Sequence, residues 1–176
     1  MTKFLIRPAR LDDIPHIQQV ARETWEDTFR GRLSPELIDE ILERNYSRPR
    51  LEGDINAAAA FLVAEAGSVA GFCHFCWRVL PGAVRGTELS RLYLLPSWQG
   101  QGLGRSLLRM GLTDLGEGAY PVSLTVEKEN WRARRFYESF GFTQTGGRTW
   151  LLKNGVIELT EYVLTAASSY SLGGSL

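Results

Sequence analysis

The segment that decides the fold reads Gln99-Gly100-Gln101-Gly102-Leu103-Gly104-Arg105-Ser106, and it follows an apolar run that ends at Pro96. Its three glycines predict a turn whose backbone N–H groups can approach a ligand closely, and the periodic apolar residues from Leu103 onward predict a helix behind it. Such a turn is an anion site, because the first N–H groups of a helix lack partners within the helix. Arg105 opposes the helix macrodipole unless an anion is bound nearby, so the segment predicts a pyrophosphate ligand.

Two better-known glycine loops do not fit this segment. The dinucleotide fingerprint G-x-G-x-x-G needs a glycine where Arg105 or Leu107 stands, and the phosphate loop G-x-x-x-x-G-K-[ST] needs a lysine that the segment lacks. The remaining pattern, Gln99-x-x-Gly102-x-Gly104 after Leu92-Tyr93-Leu94-Leu95-Pro96, resembles the acetyl-coenzyme A loop of the GCN5-related N-acetyltransferase superfamily.

A second segment carries the same resemblance. It reads Asn130-Trp131-Arg132-Ala133-Arg134-Arg135-Phe136-Tyr137-Glu138-Ser139-Phe140-Gly141-Phe142 and is similar to the superfamily signature N-x-x-A-x-x-F-Y-x-x-x-G-F. Together with the order of predicted elements, the resemblance covers most of the chain. Considered without the family, Tyr137 is one aromatic residue on a core-facing helix stripe and Asn130 is a helix cap.

The resemblance implies acetyl-coenzyme A as the cosubstrate and assigns roles to both segments. Its pyrophosphate would be held by the peptide groups of Gln99, Gly100, Gln101, Gly102, Leu103, Gly104 and Arg105, followed by Ser106 in the first helical turn. Backbone N–H groups around Leu92, Tyr93 and Leu94 would face the thioester carbonyl. In the signature, the tyrosine lies beside the cofactor sulfur and the asparagine helps to hold the pantetheine arm, which implies Tyr137 as general acid and Asn130 as a cofactor contact.

A general base is needed as well, because an amine with a pKa near ~10.4 is only about one part in a thousand neutral at physiological pH. Glu88 lies eleven positions before Gln99, where histone-modifying members of the superfamily place a base glutamate on the same strand. The alternative is a charge at the solvent side of a strand end. Three further carboxylates stay open as candidates: Glu26, Asp27 and Glu65.

The acceptor is indicated less directly. Members that modify ribosomal protein N-termini use a glutamate where Thr125 stands here, which argues against their mechanism. Aromatic and acidic residues around Trp25, with Trp77, Trp98 and Trp150, offer groups that could receive an alkyl ammonium, although packing roles compete. The early helices and the predicted loops 81–86 and 146–148 would wall the acceptor side. A polyamine-like amine is favoured; a protein or peptide amine, a non-catalytic acyl-coenzyme A sensor and a dimer-forming scaffold stay open.

Composition predicts the class of protein. With 176 residues, of which 44% are hydrophobic, the chain suits one domain at residues 1–164, followed by a disordered tail at residues 165–176. Twenty basic and twenty acidic side chains cancel, so we expect no nucleic-acid or membrane partner, and the N-terminus lacks the apolar core of a signal peptide, which predicts a cytoplasmic protein. A homodimer stays open. Cys73 and Cys76 fall in a predicted strand, point to opposite faces and are expected to be buried thiols rather than metal ligands.

The hydrophobic pattern predicts an α/β (α+β) fold. The predicted strands lie at residues 4–7, 61–66, 69–79, 87–95, 121–126, 149–152 and 156–164, and the predicted helices at 12–29, 35–46, 103–115 and 131–140. Residues 47–56, which contain Pro49 and Gly53, are predicted to be a connector. The resemblance implies that these elements form a mixed central sheet of about seven strands with helices on both faces, and that the strand before the glycine turn splays from its neighbour to form the acetyl-coenzyme A cleft.

Overall fold

The computed structural model describes residues 4–80, 82, 84–152 and 155–166. Within these residues the helices are α1 (Ile14–Thr28), α2 (Pro35–Tyr46), α3 (Arg48–Ala57), α4 (Leu103–Leu115) and α5 (Trp131–Glu138). The strands are β1 (Leu5–Pro8), β2 (Ala60–Glu65), β3 (Val69–Leu80), β4 (Val84–Leu94), β5 (Val122–Glu127), β6 (Thr143–Leu152) and β7 (Gly155–Leu164). None of the described helices combines the length and the apolar character required to cross a membrane.

The strands form one seven-stranded sheet in the order β1-β2-β3-β4-β5-β7-β6. β4 and β5 run parallel, whereas β1 with β2, β2 with β3, β5 with β7 and β6 with β7 are antiparallel. The ladder between β4 and β5 consists of the pairs Thr87 with Val122 and Glu88 with Ser123. This arrangement confirms the predicted mixed sheet of seven strands.

The chain forms two compact units, and β3 and β4 contribute residues to both. The first unit comprises Met1–Cys76 and Arg91–Leu115; the second comprises Trp77–Ser90 and Gly116–Leu176. The prediction of one domain over residues 1–164 stays a prediction. Of its proposed tail, residues 167–176 lie outside the described residues.

The core of the first unit joins α1, α4, β2 and β3. Its fully buried residues include Ile14, Ile17, Phe72, Phe75, Leu103, Leu107 and Leu108. α4 approaches β3 closely at Gly111, where an added Cβ would lie 2.4 Å from the Phe75 ring. In the second unit, the buried residues of β5 alternate along the strand and share the core with Phe140 and Tyr162. These patterns follow the helical and strand periodicities of the sequence.

One predicted connector is wrong, because residues 48–57 form the helix α3. Pro49 lies in the first turn, where a proline removes no helical hydrogen bond. Two ion pairs at i,i+4 spacing, Arg48 with Glu52 and Arg50 with Asp54, support the helix. Leu51 is the buried residue of this helix. A helix that buries so little apolar surface carries no clear amphipathic pattern, so the breakers Pro49 and Gly53 dominated the interpretation.

The predicted acceptor loops are wrong where the structure describes them. Gly146, Gly147 and Arg148 lie inside β6, which begins at Thr143 rather than at Thr149 and pairs with β7 along its length. β4 begins at Val84, so Val84–Gly86 are strand residues as well; Pro81 and Ala83 lie outside the described residues. The polar stretch before Thr149 is a strand because β7 supplies its hydrogen-bond partners, a contact that the local sequence does not encode.

Candidate active site

A turn that contains Gly100 and Gly102 joins β4 to α4, as predicted, whereas Gly104 lies in the first turn of α4. Residues Pro96–Trp98 form a short 3-10 turn, and Gly100 and Gly102 follow with φ of 79° and 83°. Side chains with a Cβ rarely adopt such values, which explains glycine at both positions. α4 then begins at Leu103, and the Ser106 N–H donates to the Gly102 carbonyl at 3.0 Å.

Five consecutive amides in this turn have no acceptor among the described residues. They are the N–H groups of Gly100, Gln101, Gly102, Leu103 and Gly104. The first three of these residues are exposed, and Leu103 and Gly104 form the first turn of α4. Backbone donors without acceptors at a helix N-terminus fit an anionic ligand, because the positive end of the helix dipole lies there.

The flanking side chains shape the turn. The Gln99 N–H donates to the Pro96 carbonyl at 3.2 Å, so this amide, which the family resemblance assigns to the pyrophosphate, is used within the turn. The Gln99 side chain donates to the Leu94 carbonyl at 3.3 Å, and the Gln101 side chain donates to the Ser97 carbonyl at 2.6 Å. Arg105 is exposed in the first turn of α4. The turn therefore combines fixed side chains with open backbone donors.

The end of β4, residues Leu92, Tyr93 and Leu94, is half-buried and held by neighbouring elements. The Thr24 hydroxyl of α1 lies 3.2 Å from the Leu94 carbonyl and 2.7 Å from the Val20 carbonyl. Sequence reasoning missed Thr24, since a threonine within an amphipathic helix gives no signal of a contact made outside that helix. Leu94 thus accepts side-chain donors from both α1 and the glycine turn.

Glu88 in the second unit is half-buried and forms an ion pair with Arg78 of β3. Along the sheet it is paired in register with Ser123 of β5. Sequence reasoning missed Arg78, because the two residues belong to different strands. A carboxylate held by a guanidinium can accept a proton from an amine only after it has exchanged that partner.

Asn130 and Tyr137 occupy the two ends of α5. The Asn130 side-chain oxygen accepts the Ala133 N–H at 3.0 Å, which confirms the predicted helix cap. Tyr137 is buried, and its ring packs edge-on against Phe136 and Phe142 with centroids 5.3 and 5.9 Å away. The aromatic stripe predicted from periodicity is therefore present.

A second tyrosine in this unit makes a closed hydrogen-bond network. The Tyr162 hydroxyl accepts from Arg134 Nε at 3.0 Å and donates to Glu138 Oε1 at 2.7 Å. Burial of the hydroxyl raises the pKa of Tyr162. Sequence reasoning did not single out Tyr162, which lies in β7 among alternating apolar residues.

The alternative carboxylates are occupied by arginines. Arg22 pairs with Glu26 at 3.3 Å, Arg30 pairs with Asp27 at 3.4 Å, and Arg7 pairs with Glu65 at 2.8 Å. Trp25 is buried and stacks on Phe29 with a centroid distance of 4.8 Å, so it packs in the core rather than presenting a surface for a cation. Each of these carboxylates, like Glu88, would have to exchange an arginine partner before it could accept a proton.

Cys73 lies in the core, as predicted, and burial raises its pKa to about 12. Such a thiol is not nucleophilic at neutral pH. Cys76 is half-buried rather than buried. Within the described part of the chain, no three side chains of the metal-binding types His, Cys, Asp and Glu are grouped as a candidate metal site.

Comparison with known proteins points to one enzyme family. Residues 57–144 match the family model of the acetyltransferase (GNAT) domain. The chain is 32% identical to an uncharacterized N-acetyltransferase of Mycobacterium tuberculosis over 157 residues, 88% of this chain and 97% of that protein. It is 31% identical to the spermidine N(1)-acetyltransferase of Thermoplasma acidophilum over 144 residues, 78% and 86% of the two chains. The crystal structure of PaiA N-acetyltransferase from Thermoplasma acidophilum in complex with coenzyme A has a TM-score of 0.68 and 25% identity, and the similarity covers 90% of this chain and 98% of that one.

Proposed function

The chain belongs to the GCN5-related N-acetyltransferase superfamily, and we propose that it moves the acetyl group of acetyl-coenzyme A to a primary amine of a small, polyamine-like molecule. As a member of this superfamily it is an N-acetyltransferase with acetyl-coenzyme A as its cosubstrate. The observation that carries the proposal is the row of five amides without acceptors, Gly100 to Gly104, at the start of α4.

We assign the binding roles from this observation and from the family signature. The amides of residues 100–104 hold the pyrophosphate, Arg105 neutralises part of its charge, and Ser106 closes the first turn of α4. Gln99 acts by shaping the turn, since its amide and side chain already donate to Pro96 and Leu94. The backbone of residues 92–94 polarises the thioester carbonyl, and Asn130 contacts the pantetheine arm.

We assign the proton transfers to two residues of the second unit. Tyr137 donates a proton to the departing thiolate, as the family signature implies. Once Arg78 has released the Glu88 carboxylate, Glu88 accepts a proton from the acceptor ammonium. It accepts this proton either directly or through a water molecule. The bound thioester supplies the acetyl group, and the acceptor amine attacks its carbonyl directly.

The polyamine preference is supported by the similarity to the spermidine N(1)-acetyltransferase of Thermoplasma acidophilum. The exposed faces of α1 and α2 add carboxylates that suit a polycation, among them Glu23, Glu36, Glu40 and Glu43. A protein or peptide amine is the alternative acceptor. A sensor that binds acyl-coenzyme A without catalysis is the alternative outside enzymes.

The deciding experiment is an acceptor panel. The protein is incubated with acetyl-coenzyme A and spermidine, spermine, a simple monoamine or a peptide with a free N-terminus, and the released thiol is followed. We expect the polyamines to give the highest kcat/KM. Turnover of the peptide alone would replace the polyamine by a protein acceptor. Tight binding of acetyl-coenzyme A in calorimetry without thiol release from any amine would favour the sensor.

A further inference from the structure

A buried polar cluster surrounds Arg91, which precedes the last three residues of β4. The Arg91 side chain is 8% exposed. Its Nη1 donates to Asp54 Oδ2 at 2.7 Å, and its Nη2 donates to the Asn45 carbonyl at 2.9 Å. The guanidinium also lies 4.8 Å from the centroid of the Tyr46 ring. One side chain therefore joins β4 to the end of α2 and to α3.

His74 of β3 completes this Arg91 cluster. Its Nδ1 lies 3.3 Å from Arg91 Nη1, and its ring stacks on Phe61 with a centroid distance of 4.8 Å. A guanidinium has donors but no acceptor, so the contact requires a neutral imidazole that accepts at Nδ1. The depth of burial is consistent with a neutral ring, since His74 is 3% exposed.

The buried ion pair between Arg91 and Asp54 is not an efficient way to stabilise the fold. Removing a charged pair from water costs several kcal/mol per ion, and replacing such a pair with apolar residues is often neutral or stabilising. An arginine instead fixes the relative positions of its partners, because its planar guanidinium holds two acceptors in a defined geometry. Here the two acceptors belong to two different helices, and the fork is anchored on β4.

Arg91 directly precedes the part of β4 that we assign to the substrate. The next three residues, Leu92, Tyr93 and Leu94, form the segment whose backbone we assign to the thioester carbonyl. At the other end of the segment, the Leu94 carbonyl is held by Thr24 and Gln99. Residues 92–94 are thus fixed at both ends: the Arg91 side chain holds the strand before Leu92, and the Thr24 and Gln99 side chains hold the carbonyl of Leu94.

We propose that Arg91, through its bonds to Asp54 and the Asn45 carbonyl, is a positioning residue that sets the backbone of residues 92–94 for acetyl transfer. This inference rests on the proposed function and adds a residue that acts without touching the substrate. Backbone donors stabilise a developing oxyanion only when they are aligned, and a displacement of about 1 Å can cost ~100-fold in rate. Loosening the clamp should therefore lower kcat, while the amides of residues 100–104 keep their affinity for the cosubstrate.

The test uses Arg91→Lys and Asp54→Asn, with Arg50→Gln as the matched control. Lysine keeps the charge but is a point donor that cannot hold Asp54 and the Asn45 carbonyl in one plane. Arg50 pairs with the same Asp54 at 3.1 Å, but its side chain is 58% exposed and it belongs to α3, as Asp54 does. We expect both cluster variants to lower kcat by about 10- to 100-fold with an unchanged Kd for acetyl-coenzyme A, and Arg50→Gln to retain wild-type kcat.

A purely structural role predicts a different result. In that case Arg91→Lys would lower the melting temperature but leave kcat unchanged at temperatures where the variant is folded, and the proposal would be overturned. If a single variant does not fold, the double variant Arg91→Gln with Asp54→Asn removes both charges together, and the same comparison of kcat with Kd decides.

A second measurement does not depend on activity. The amide resonances and hydrogen-exchange rates of Leu92, Tyr93 and Leu94 are compared in the wild-type protein, Arg91→Lys and Arg50→Gln. We expect shifted resonances and at least about tenfold faster exchange in Arg91→Lys only. Unchanged exchange at these amides would refute the positioning role. A wild-type protein that acetylates no amine would instead refute the proposed function, and the exchange data would still decide on Arg91.

Discussion

The Arg91 cluster and the glycine turn at residues 100–104 belong to the same unit and treat polar groups in opposite ways. In the cluster, a buried guanidinium donates to Asp54, to the Asn45 carbonyl and towards His74. In the turn, five amides have no acceptor among the described residues, and three of their residues are exposed. A buried donor without an acceptor is costly, whereas an exposed one is satisfied by water and can exchange that water for a ligand. Closed networks therefore fix positions here, and open donors bind.

The largest expected effect comes from placing a negative charge beside the amides of residues 100–104. Gly104→Glu should abolish binding of acetyl-coenzyme A, because a carboxylate in the first turn of α4 competes with the phosphates for the same amides. Titration calorimetry measures the loss. Gly118→Glu is the control, since it adds the same charge at an exposed site where a new Cβ meets nothing within 4 Å. Undiminished affinity in a folded Gly104→Glu protein would remove the turn from the binding site.

The second unit allows a comparison between two tyrosines to which we assign different roles. Tyr137→Phe should lower kcat by about 10²- to 10⁴-fold with little change in KM for acetyl-coenzyme A, because the variant lacks the proton donor. Tyr162→Phe should leave kcat unchanged and cost about 1 kcal/mol of unfolding free energy, because its hydroxyl serves Arg134 and Glu138. Steady-state kinetics and urea unfolding separate the two effects. Equal kcat in both variants would exclude Tyr137 as the acid.

A third prediction concerns the packing behind residues 92–94. In Gly71→Ala the new Cβ would lie 2.4 Å from Leu94 Cδ2 and 2.7 Å from the Tyr93 carbonyl oxygen. The strands must separate, at a cost of about 1–3 kcal/mol in unfolding free energy. Gly53→Ala, inside α3 and without a neighbour within 4 Å, should instead stabilise by about 0.5–1 kcal/mol. Urea unfolding of both variants tests the signs, and a neutral Gly71→Ala would show that β3 and β4 are not tightly fixed here.

The Arg91 cluster should also respond to acid. Burial, followed by repulsion from Arg91, lowers the pKa of His74 from 6.5 to about 4. The unfolded chain therefore takes up the proton first, and the stability that the neutral ring contributes is present above pH 6.5 and lost as the pH falls towards 4. At pH 5 the loss relative to pH 7 amounts to about 2 kcal/mol. Urea unfolding at both pH values measures it, and His74→Gln should show a correspondingly smaller decrease; an equal decrease would assign the effect to other groups.

The features that could be predicted are those with local causes. The glycine turn was predicted from adjacent residues, of which Gly100 and Gly102 adopt positive φ, and Asn130 caps α5 through a bond to Ala133, three residues away. Leu103, Leu107 and their neighbours repeat at helical spacing and are buried. α3 escaped prediction because its helix-breaking residues are local, whereas Leu51 gains its burial from the rest of the first unit.

The sequence by itself determined the glycine turn, the helices with clear caps, the alternation of the buried strands and the resemblance to an acetyltransferase family, since each depends on residues within a few positions of one another. Tertiary structure decided which polar groups meet. Arg91 binds Asp54, 37 residues away, and the Asn45 carbonyl, 46 residues away. Glu88 pairs with Arg78 of the neighbouring strand. Such pairs form only when sheet and helices bring distant segments together, and no local pattern of residue types records them.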